Sequence, residues 1–278
     1  MVKPERVFIS IDMEGISSIV DWEEVGKDTK EYQFARKIMV QDLNAAIEGA
    51  LDAGAKEIMV SDAHGRMRNL RPEDVHEAAV LMRGSPKPDS MMEGISEGHD
   101  AAMYVGYHSM KGTLKGICSH TISGSTVQRV WFNGRETGEF GMNSALAGYY
   151  GVPSVMLAGD YAATQEAEVF VPGITTATVK WANGRYGAKC LHPKNAAKLI
   201  RAKAKEALTK KFPEPRVVNE PVEIKLELTN AAMADLVMLI PGYERVDGVT
   251  VKAVHDEFPV ALNALRAGIY LAGNILRR

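Results

Sequence analysis

Two short apolar segments separated by a helical pattern restrict the fold of this chain more than any other feature. Residues 7–11 form a nearly continuous apolar run without polar alternation, which is typical of a strand buried on both faces. From about residue 31 to residue 53, apolar residues recur at three- and four-residue intervals, and residues 57–60 are a second strand candidate. A strand, a helix and a strand at this spacing predict a βαβ unit, so the two strands should be parallel.

Later segments extend the same arrangement. Residues 101–105, 153–159 and 175–179 are further strand candidates, and residues 161–170 are predicted to be helical. Strands and helices that alternate in this way predict an α/β fold with a largely parallel central sheet and flanking helices. Residues 180–189 are polar and contain glycine, so we expect a loop there.

The C-terminal part has a different pattern. Residues 212–215 contain two prolines and resemble a linker, and residues 222–228 alternate apolar and charged side chains as a half-exposed antiparallel strand does. We therefore expect an α/β catalytic domain over residues 1–212, which carries the metal site, and a smaller C-terminal β-α-β-α portion over residues 213–278. That portion would pack on the first or serve oligomerisation, and its final helix is expected to begin after Asp256 and to continue to residue 276.

Composition excludes several classes of protein. The 278 residues include 33 Lys and Arg against 35 Asp and Glu, and a net charge of −2 gives no indication of binding to nucleic acid or to an anionic membrane. No apolar run reaches membrane-spanning length, and the first residues lack the apolar core of a signal peptide. Two cysteines, Cys118 and Cys190, make no disulfide framework, so we expect a cytoplasmic protein.

Polar residues suited to metal binding or proton transfer follow several predicted strands. Asp12 and Glu14 come directly after the first strand, His64 after the second and His108 after the third. Because open α/β sheets bind ligands beyond the carboxyl ends of their strands, these side chains should meet there. Glu139 lies between glycines in front of a predicted helix and is a fifth candidate. The structural alternatives are a solvated acidic turn after the first strand and a carboxylate stabilised by a helix start.

Three carboxylates and two imidazoles are more ligands than a single catalytic metal ion takes, because such an ion keeps one position open. They suit two divalent cations of the zinc type, with one carboxylate bridging the pair. A metal pair lowers the pKa of bound water and polarises the bond under attack. The sequence contains no helical HExxH pattern, so the prediction rests on the combination of segments.

Several short motifs stand in the order in which they occur in a known family. They are IDMEG at 11–15, SDAH at 61–64, GYHS at 106–109, SH at 119–120 and GEFGMN at 138–143. Together they resemble the D-aminopeptidases of the DppA type, peptidase family M55. The resemblance runs from the first strand to the final helix.

The resemblance implies an enzyme, a binuclear metallo-aminopeptidase with two zinc ions per subunit. Its substrates would be short peptides with N-terminal D-amino acids, preferably D-alanine. Asp12 would bridge the two ions, Glu14 and His108 would complete one zinc site, and His64 and Glu139 would complete the other. The resemblance also implies a homodecamer of two stacked pentamers that encloses the active sites.

The resemblance assigns His120 as the catalytic nucleophile or base. An imidazole with an unperturbed pKa of about 6.5 can take a proton from water and deliver it to the leaving amine, so we favour general acid–base catalysis.

The residues alone leave two rival functions open. A two-metal amidase or phosphoesterase would use the same site, with Arg66, Arg68 and Lys111 as candidate phosphate-binding cations. A metal-binding oligomer without turnover would have no need of a proton-transfer group such as His120.

Overall fold

The computed structural model describes residues 4–27 and 29–277. The strands are β1 (Arg6–Ile11), β2 (Glu57–Asp62), β3 (Ala79–Met82), β4 (Ala101–Tyr107), β5 (Val127–Phe132), β6 (Arg135–Glu136), β7 (Ser154–Asp160), β8 (Thr175–Gly184), β9 (Gly187–Cys190), β10 (Val222–Leu228), β11 (Glu244–Arg245) and β12 (Thr250–His255). The α-helices are α1 (Trp22–Val25), α2 (Lys30–Ala53), α3 (Glu139–Tyr149), α4 (Tyr161–Phe170), α5 (Pro193–Thr209), α6 (Ala231–Val237) and α7 (Phe258–Ala272). No helix within the described ranges has the length and apolar character that crossing a membrane requires.

A seven-stranded sheet with the order β3-β2-β1-β4-β7-β8-β9 forms the centre of the molecule. Neighbouring strands from β3 to β8 are parallel, and β9 is antiparallel to β8. This confirms the predicted parallel β1–β2 unit and the largely parallel central sheet. The chain proceeds outward from β1 on one side of the sheet and outward from β4 on the other. Ligands of open α/β sheets bind at such a switch point, beyond the carboxyl ends of the strands.

Alternate side chains of β1 enter two different hydrophobic cores. Val7, Ile9 and Ile11 pack into a core formed with α2 and α5, whereas Phe8 belongs to a core shared with α3, α4 and a second sheet. Because both faces of β1 are buried, its sequence lacks polar alternation. Helix α2 ends at Ala53, where the predicted helical pattern stops, and Gly54 caps it with a left-handed φ of 104°.

The second sheet is antiparallel and has the order β11-β12-β10-β5-β6. Its β5–β6 hairpin turns at Asn133 and Gly134, both with positive φ, and Asn-Gly is a sequence that favours such tight turns. Strand β10 is buried at alternate positions, as predicted, and lies between β5 and β12. The C-terminal strands therefore share a sheet with strands that precede residue 212. The division into domains at residue 212 stays a prediction.

Two local predictions are wrong. Residues 180–189 do not form a loop, because β8 continues to Gly184 and returns as β9. Polar composition misled the prediction here, since Lys180 is fully buried and donates to backbone carbonyls. In the last helix, Glu257 rather than Asp256 occupies the N-cap, and α7 ends at Ala272 before a 3-10 turn.

Candidate metal centre

The five predicted ligands and His120 meet at the carboxyl end of the central sheet, next to the switch point between β1 and β4. Asp12 and Glu14 follow β1, His64 follows β2 and His108 follows β4. The remaining two come from the connection that leads to the second sheet and from the start of a helix: His120 lies between β4 and β5, and Glu139 is the first residue of α3. The three carboxylates are at most 5% exposed, so the solvated-turn alternative is wrong for Asp12 and Glu14.

A close approach of two backbone segments makes this meeting possible. The Gly15 N–H donates to Gly106 O at 2.8 Å, which ties the turn after β1 to β4. A Cβ atom on Gly15 would lie 1.9 Å from Tyr107 O, so no other residue fits without moving the backbone. The glycine thereby keeps the Asp12–Glu14 turn beside the end of β4, where His108 begins the next loop.

Asp12 stands between two histidines. His64 Nδ1 lies 3.3 Å from Asp12 Oδ1 and 3.0 Å from Glu14 Oε2. On the other side, His108 Nε2 lies 3.4 Å from Asp12 Oδ2 and 3.5 Å from Glu139 Oε1. The two oxygens of Asp12 thus face different imidazoles, which is the arrangement that a bridging carboxylate needs.

Backbone carbonyls fix the tautomer of each histidine. His64 Nε2 contacts Val25 O at 3.1 Å, His108 Nδ1 contacts Ser109 O at 3.0 Å, and His120 Nδ1 contacts Cys118 O at 3.0 Å. A carbonyl oxygen only accepts, so each of these nitrogens carries the proton. In the neutral form of each ring, the opposite nitrogen carries the lone pair, and this nitrogen faces the cluster. Metal-binding histidines are oriented by hydrogen bonds of this kind.

The electrostatics of the cluster couple carboxylates to imidazoles. Burial, reinforced by the charge of Glu14, raises the pKa of Asp12 to about 7. Burial opposes charge on Glu14 as well, but His64 outweighs it and holds the pKa of Glu14 well below its ordinary value. Burial likewise disfavours the imidazolium of His64, yet Glu14 and Asp12 raise the pKa of that ring. Without a metal ion, the imidazoles and carboxylates of the cluster share protons. A divalent cation bound here would displace those protons.

Two atoms test whether the cluster fits a metal ion. Asp12 Oδ2 and His108 Nε2 are buried and have no hydrogen-bond partner among the described residues. Unpartnered buried polar atoms are costly, and both are of types that ligate zinc. Ligand atoms lie within 4.8 Å of one another in two groups, Asp12, Glu14 and His64 in one and His108, His120 and Glu139 in the other. The donor set therefore fits metal ions.

His120 lies against the cluster at the side of His108. The two rings stack with centroids 4.1 Å apart, and the ring of Trp22 meets His120 edge-on at 5.2 Å. His120 Nε2 is 3.7 Å from Glu139 Oε1 and 3.9 Å from Glu14 Oε1. Burial, together with the neighbouring His108, lowers the pKa of His120. The ring is therefore neutral near pH 7 and can accept a proton at Nε2.

Buried charged residues hold the loops that carry these ligands, and sequence reasoning missed them. Lys180 Nζ donates to Glu14 O at 2.6 Å, to Ile16 O at 2.9 Å and to Ile19 O. From the other side, Asp42 accepts from the Ser17 N–H at 2.8 Å and from its hydroxyl at 3.0 Å.

Glu166 anchors the loop after β4 in a similar way. Its Oε2 accepts from the Met110 N–H at 2.8 Å. The only sequence signal for Glu166 or Asp42 is an acidic residue on an otherwise apolar helix face, which is too common to identify an anchor.

A cavity of about 230 Å³ opens onto the cluster. Its walls are mostly apolar, with Met67, Met91, Met142 and Ile122 among them, and α7 supplies Leu262, Arg266 and Tyr270. The phosphate-binding cations considered from the sequence lie elsewhere. Arg66 and Arg68 line a separate cavity on the far side of His64. Lys111 Nζ donates to the backbone carbonyls of Gly124 and Val127.

Comparison with known proteins finds one family over most of the chain. The family model for D-aminopeptidases, peptidase M55, matches residues 6–267. A D-aminopeptidase of Bacillus subtilis (strain 168) is 37% identical over 246 residues, which cover 88% of this chain and 89% of that protein. The structure of the "Zn-dependent D-aminopeptidase DppA from Bacillus subtilis, a self-compartmentalizing protease" superposes with a TM-score of 0.93 and 35% identity, over 96% of this chain and 97% of that one.

Proposed function

We propose, from the premise that this chain belongs to the M55 family of zinc-dependent D-aminopeptidases, that it removes N-terminal D-amino acids from short peptides. D-Alanine is the proposed preferred residue, and two zinc ions per subunit are the proposed cofactor. The observation that carries the proposal is the position of Asp12, whose two oxygens face His64 and His108 in a buried cluster.

Five residues are proposed to hold the zinc pair. Asp12 would bridge the two ions, with Glu14 and His108 on one zinc and His64 and Glu139 on the other. The short contacts of His64 with Glu14 and of His108 with Glu139 also suit the exchanged pairing, and both pairings keep Asp12 as the bridge. Bound zinc supplies Lewis acidity, which polarises a peptide carbonyl and lowers the pKa of water.

His120 is proposed to move the proton. Hydrolysis of an amide needs a base that takes a proton from the attacking water and an acid that gives one to the departing amine. The lowered pKa of His120 keeps its Nε2 free to accept, and the carbonyl of Cys118 fixes the ring orientation. Glu14 and Glu139, both within 4 Å of Nε2, stabilise the imidazolium that forms.

The assembly is proposed to be a homodecamer of two stacked pentamers. A similar protein is described as a self-compartmentalizing protease, and enclosure of the active sites would limit substrates to short peptides. An apolar groove with the exposed side chains Leu114, Tyr161 and Val169 supports contacts between subunits. We propose that the enzyme acts in the cytoplasm, an environment in which its cysteines, which are unpaired in the structure, stay reduced.

The function is tested by measuring zinc per chain and hydrolysis of D-alanyl and L-alanyl dipeptides. We expect about two zinc ions in the wild type, weaker binding of both in Asp12→Ala, and turnover of the D-alanyl substrate. His120→Ala should keep its zinc and lose roughly 100- to 10,000-fold in kcat. His76→Ala, a change outside the cluster, is the matched control and should keep both zinc and turnover.

Two results would contradict the proposal. A single zinc ion that Asp12→Ala leaves unchanged would exclude a bridged pair. A zinc-loaded wild type that hydrolyses phosphate esters and no aminoacyl peptide would exclude the peptidase function.

A further inference from the structure

One wall of the cavity above the metal cluster comes from the last helix of the described chain. Leu262, Arg266 and Tyr270 line the cavity and are spaced by four residues, so a single face of α7 forms this wall. No other lysine or arginine from the described residues lines this cavity. A positive side chain thus stands in the same small space as the predicted zinc ligands.

Arg266 is a buried cation whose hydrogen bonds go to neutral groups. Nη1 donates to Asn263 Oδ1 at 2.9 Å and to Pro88 O, and Nη2 donates to Lys87 O at 2.9 Å. Nε is buried without a hydrogen-bond partner among the described residues. No described carboxylate lies within ion-pair distance of this guanidinium, although the residue is only 8% exposed. Asp89 interacts with it only through its charge at longer range. A charge buried in this way is costly unless an anion accompanies it.

We propose that Arg266 binds the C-terminal carboxylate of the peptide substrate, which makes free dipeptides the preferred substrate class. The inference rests on the proposed aminopeptidase function, since it places the N-terminal residue at the metal cluster. Guanidinium and carboxylate are matched in charge and geometry. A dipeptide bound at the cluster by its amino end has one further charge, and this carboxylate belongs beside the one cationic side chain of the wall.

The size of the cavity supports the same class of substrate. Its volume of about 230 Å³ lies below the range of roughly 300–1,000 Å³ that is usual for sites of drug-sized ligands. Met67, Met91 and Met142 offer apolar contacts for small side chains without adding a hydrogen-bond partner for the carboxylate. A longer peptide would have to leave Arg266 without its anion or extend out of the cavity.

The competing explanation is that Arg266 only fastens α7 to the backbone of Lys87 and Pro88. If Arg266 only holds α7 in place, its replacement should lower the rate for every substrate by the same factor. Loss of a carboxylate partner affects only substrates that carry the carboxylate. The two explanations therefore differ in the ratio of rates for a dipeptide and its C-terminal amide.

The experiment compares D-alanyl-D-alanine with D-alanyl-D-alaninamide on the zinc-loaded full chain. The wild type should prefer the acid, and Arg266→Met should lower kcat/KM for the acid by about 10- to 100-fold, mostly through KM, with little change for the amide. Arg266→Lys, which keeps the charge, should restore part of the preference. Lys87→Met is the matched control: it removes a neighbouring buried cation that does not line the cavity, and it should change both substrates by the same factor.

Equal kcat/KM of the wild type for acid and amide would overturn the proposal. So would an equal loss for both substrates in Arg266→Met, which would assign the residue to fastening alone. If Arg266→Met does not fold, the acid-to-amide ratio of Arg266→Lys decides between the same two outcomes. Failure of the zinc-loaded wild type to cleave either substrate would refute the aminopeptidase function itself, which separates that result from the failure of the carboxylate site.

Discussion

Two buried cations, Lys180 and Arg266, hold loops at the catalytic edge of the sheet, and they do so in different ways. Lys180 is fully buried, and its ammonium donates to three backbone carbonyls in residues 14–19. An ammonium has three protons, so its hydrogen-bonding capacity is satisfied within the protein. Arg266 also donates to carbonyls, those of Lys87 and Pro88, but it leaves Nε without a partner and lines the cavity.

The difference indicates that Lys180 positions the chain around it, whereas Arg266 is available to bind a ligand. A buried cation that is fully satisfied by backbone oxygens orders the chain around it and has nothing left to offer a ligand. A buried cation that lines a cavity and has no carboxylate within ion-pair distance can still take its anion from a ligand. Replacement of each residue should therefore change different quantities.

Lys180→Met should produce the largest effect. Three carbonyls would lose a charged donor, and the Glu14 turn would lose its anchor, so we expect a loss of about 3–5 kcal/mol in unfolding free energy. Zinc affinity should fall by about 10- to 100-fold, because groups that orient metal ligands contribute that much. Denaturant unfolding and competition with a chromophoric zinc chelator measure the two quantities. Lys189→Met, in the same hairpin but exposed, should change neither, and intact zinc affinity in Lys180→Met would contradict the anchoring role.

Glu166→Gln tests whether the side chain that holds the Met110 loop needs to carry a charge. Burial raises the pKa of Glu166 to about 7 from an ordinary value of 4.5, so between these pH values the folded protein holds a proton that the unfolded chain has released. The contribution of this group to the unfolding free energy therefore falls by about 3 kcal/mol at most as pH rises from 4.5 to about 7. It stays low at higher pH. Glutamine carries no charge and still accepts from the Met110 N–H.

The zinc-loaded Glu166→Gln variant should accordingly be more stable than the wild type at pH 8 and equal to it at pH 4.5. Unfolding free energies measured across this range check the expectation. A difference that does not vary with pH would show that Glu166 acts through packing rather than through its proton.

Arg266→Met should have a smaller effect on stability than Lys180→Met and no effect on zinc affinity. The fastening to residues 87–88 would be lost, and a destabilisation of about 1–2 kcal/mol is expected from its neutral acceptors. Zinc affinity should not change, since Arg266 touches none of the predicted ligands. A zinc affinity lowered as far as in Lys180→Met would mean that both cations serve the metal cluster and that the proposed distinction is wrong.

Asp42→Asn should have the smallest effect. The amide oxygen can still accept from the Ser17 N–H, while the second hydrogen bond to the Ser17 hydroxyl changes direction. We expect a loss of about 1 kcal/mol in unfolding free energy and no change in zinc content. A larger loss would show that Asp42, rather than Lys180, is the main residue that stabilises this loop.

Sequence reasoning could predict that four of the candidate ligands lie close together, because their signal is local. Asp12, Glu14, His64 and His108 each follow a strand that its apolar composition marks, and the carboxyl ends of parallel strands converge at a switch point. His120 follows no strand, and only the family resemblance pointed to it. Its stacking on His108 requires the three-dimensional path of the loop.

The supporting charges were out of reach for a physical reason. Lys180 lies 166 residues from the carbonyl of Glu14, and Arg266 lies 179 residues from that of Lys87. Nothing in the residues around either cation indicates that a distant backbone will cover it. The same holds for the pairing of β5 with β10, since alternation along β10 predicts a half-buried strand but does not identify its neighbour.

The pairing of β5 with β10 also sets an order of events during synthesis. Every predicted zinc ligand has left the ribosome well before β10 and α7 are made, because all of them precede residue 140. Yet β5, which follows the His120 loop, still lacks its central partner, and the cavity lacks the wall that α7 provides. Nascent chains tend to fold from the N-terminal side, so a partly made chain can order its metal ligands without completing the place where a peptide binds. A chain that lacks α7 therefore lacks one wall of the cavity in which the peptide is proposed to bind.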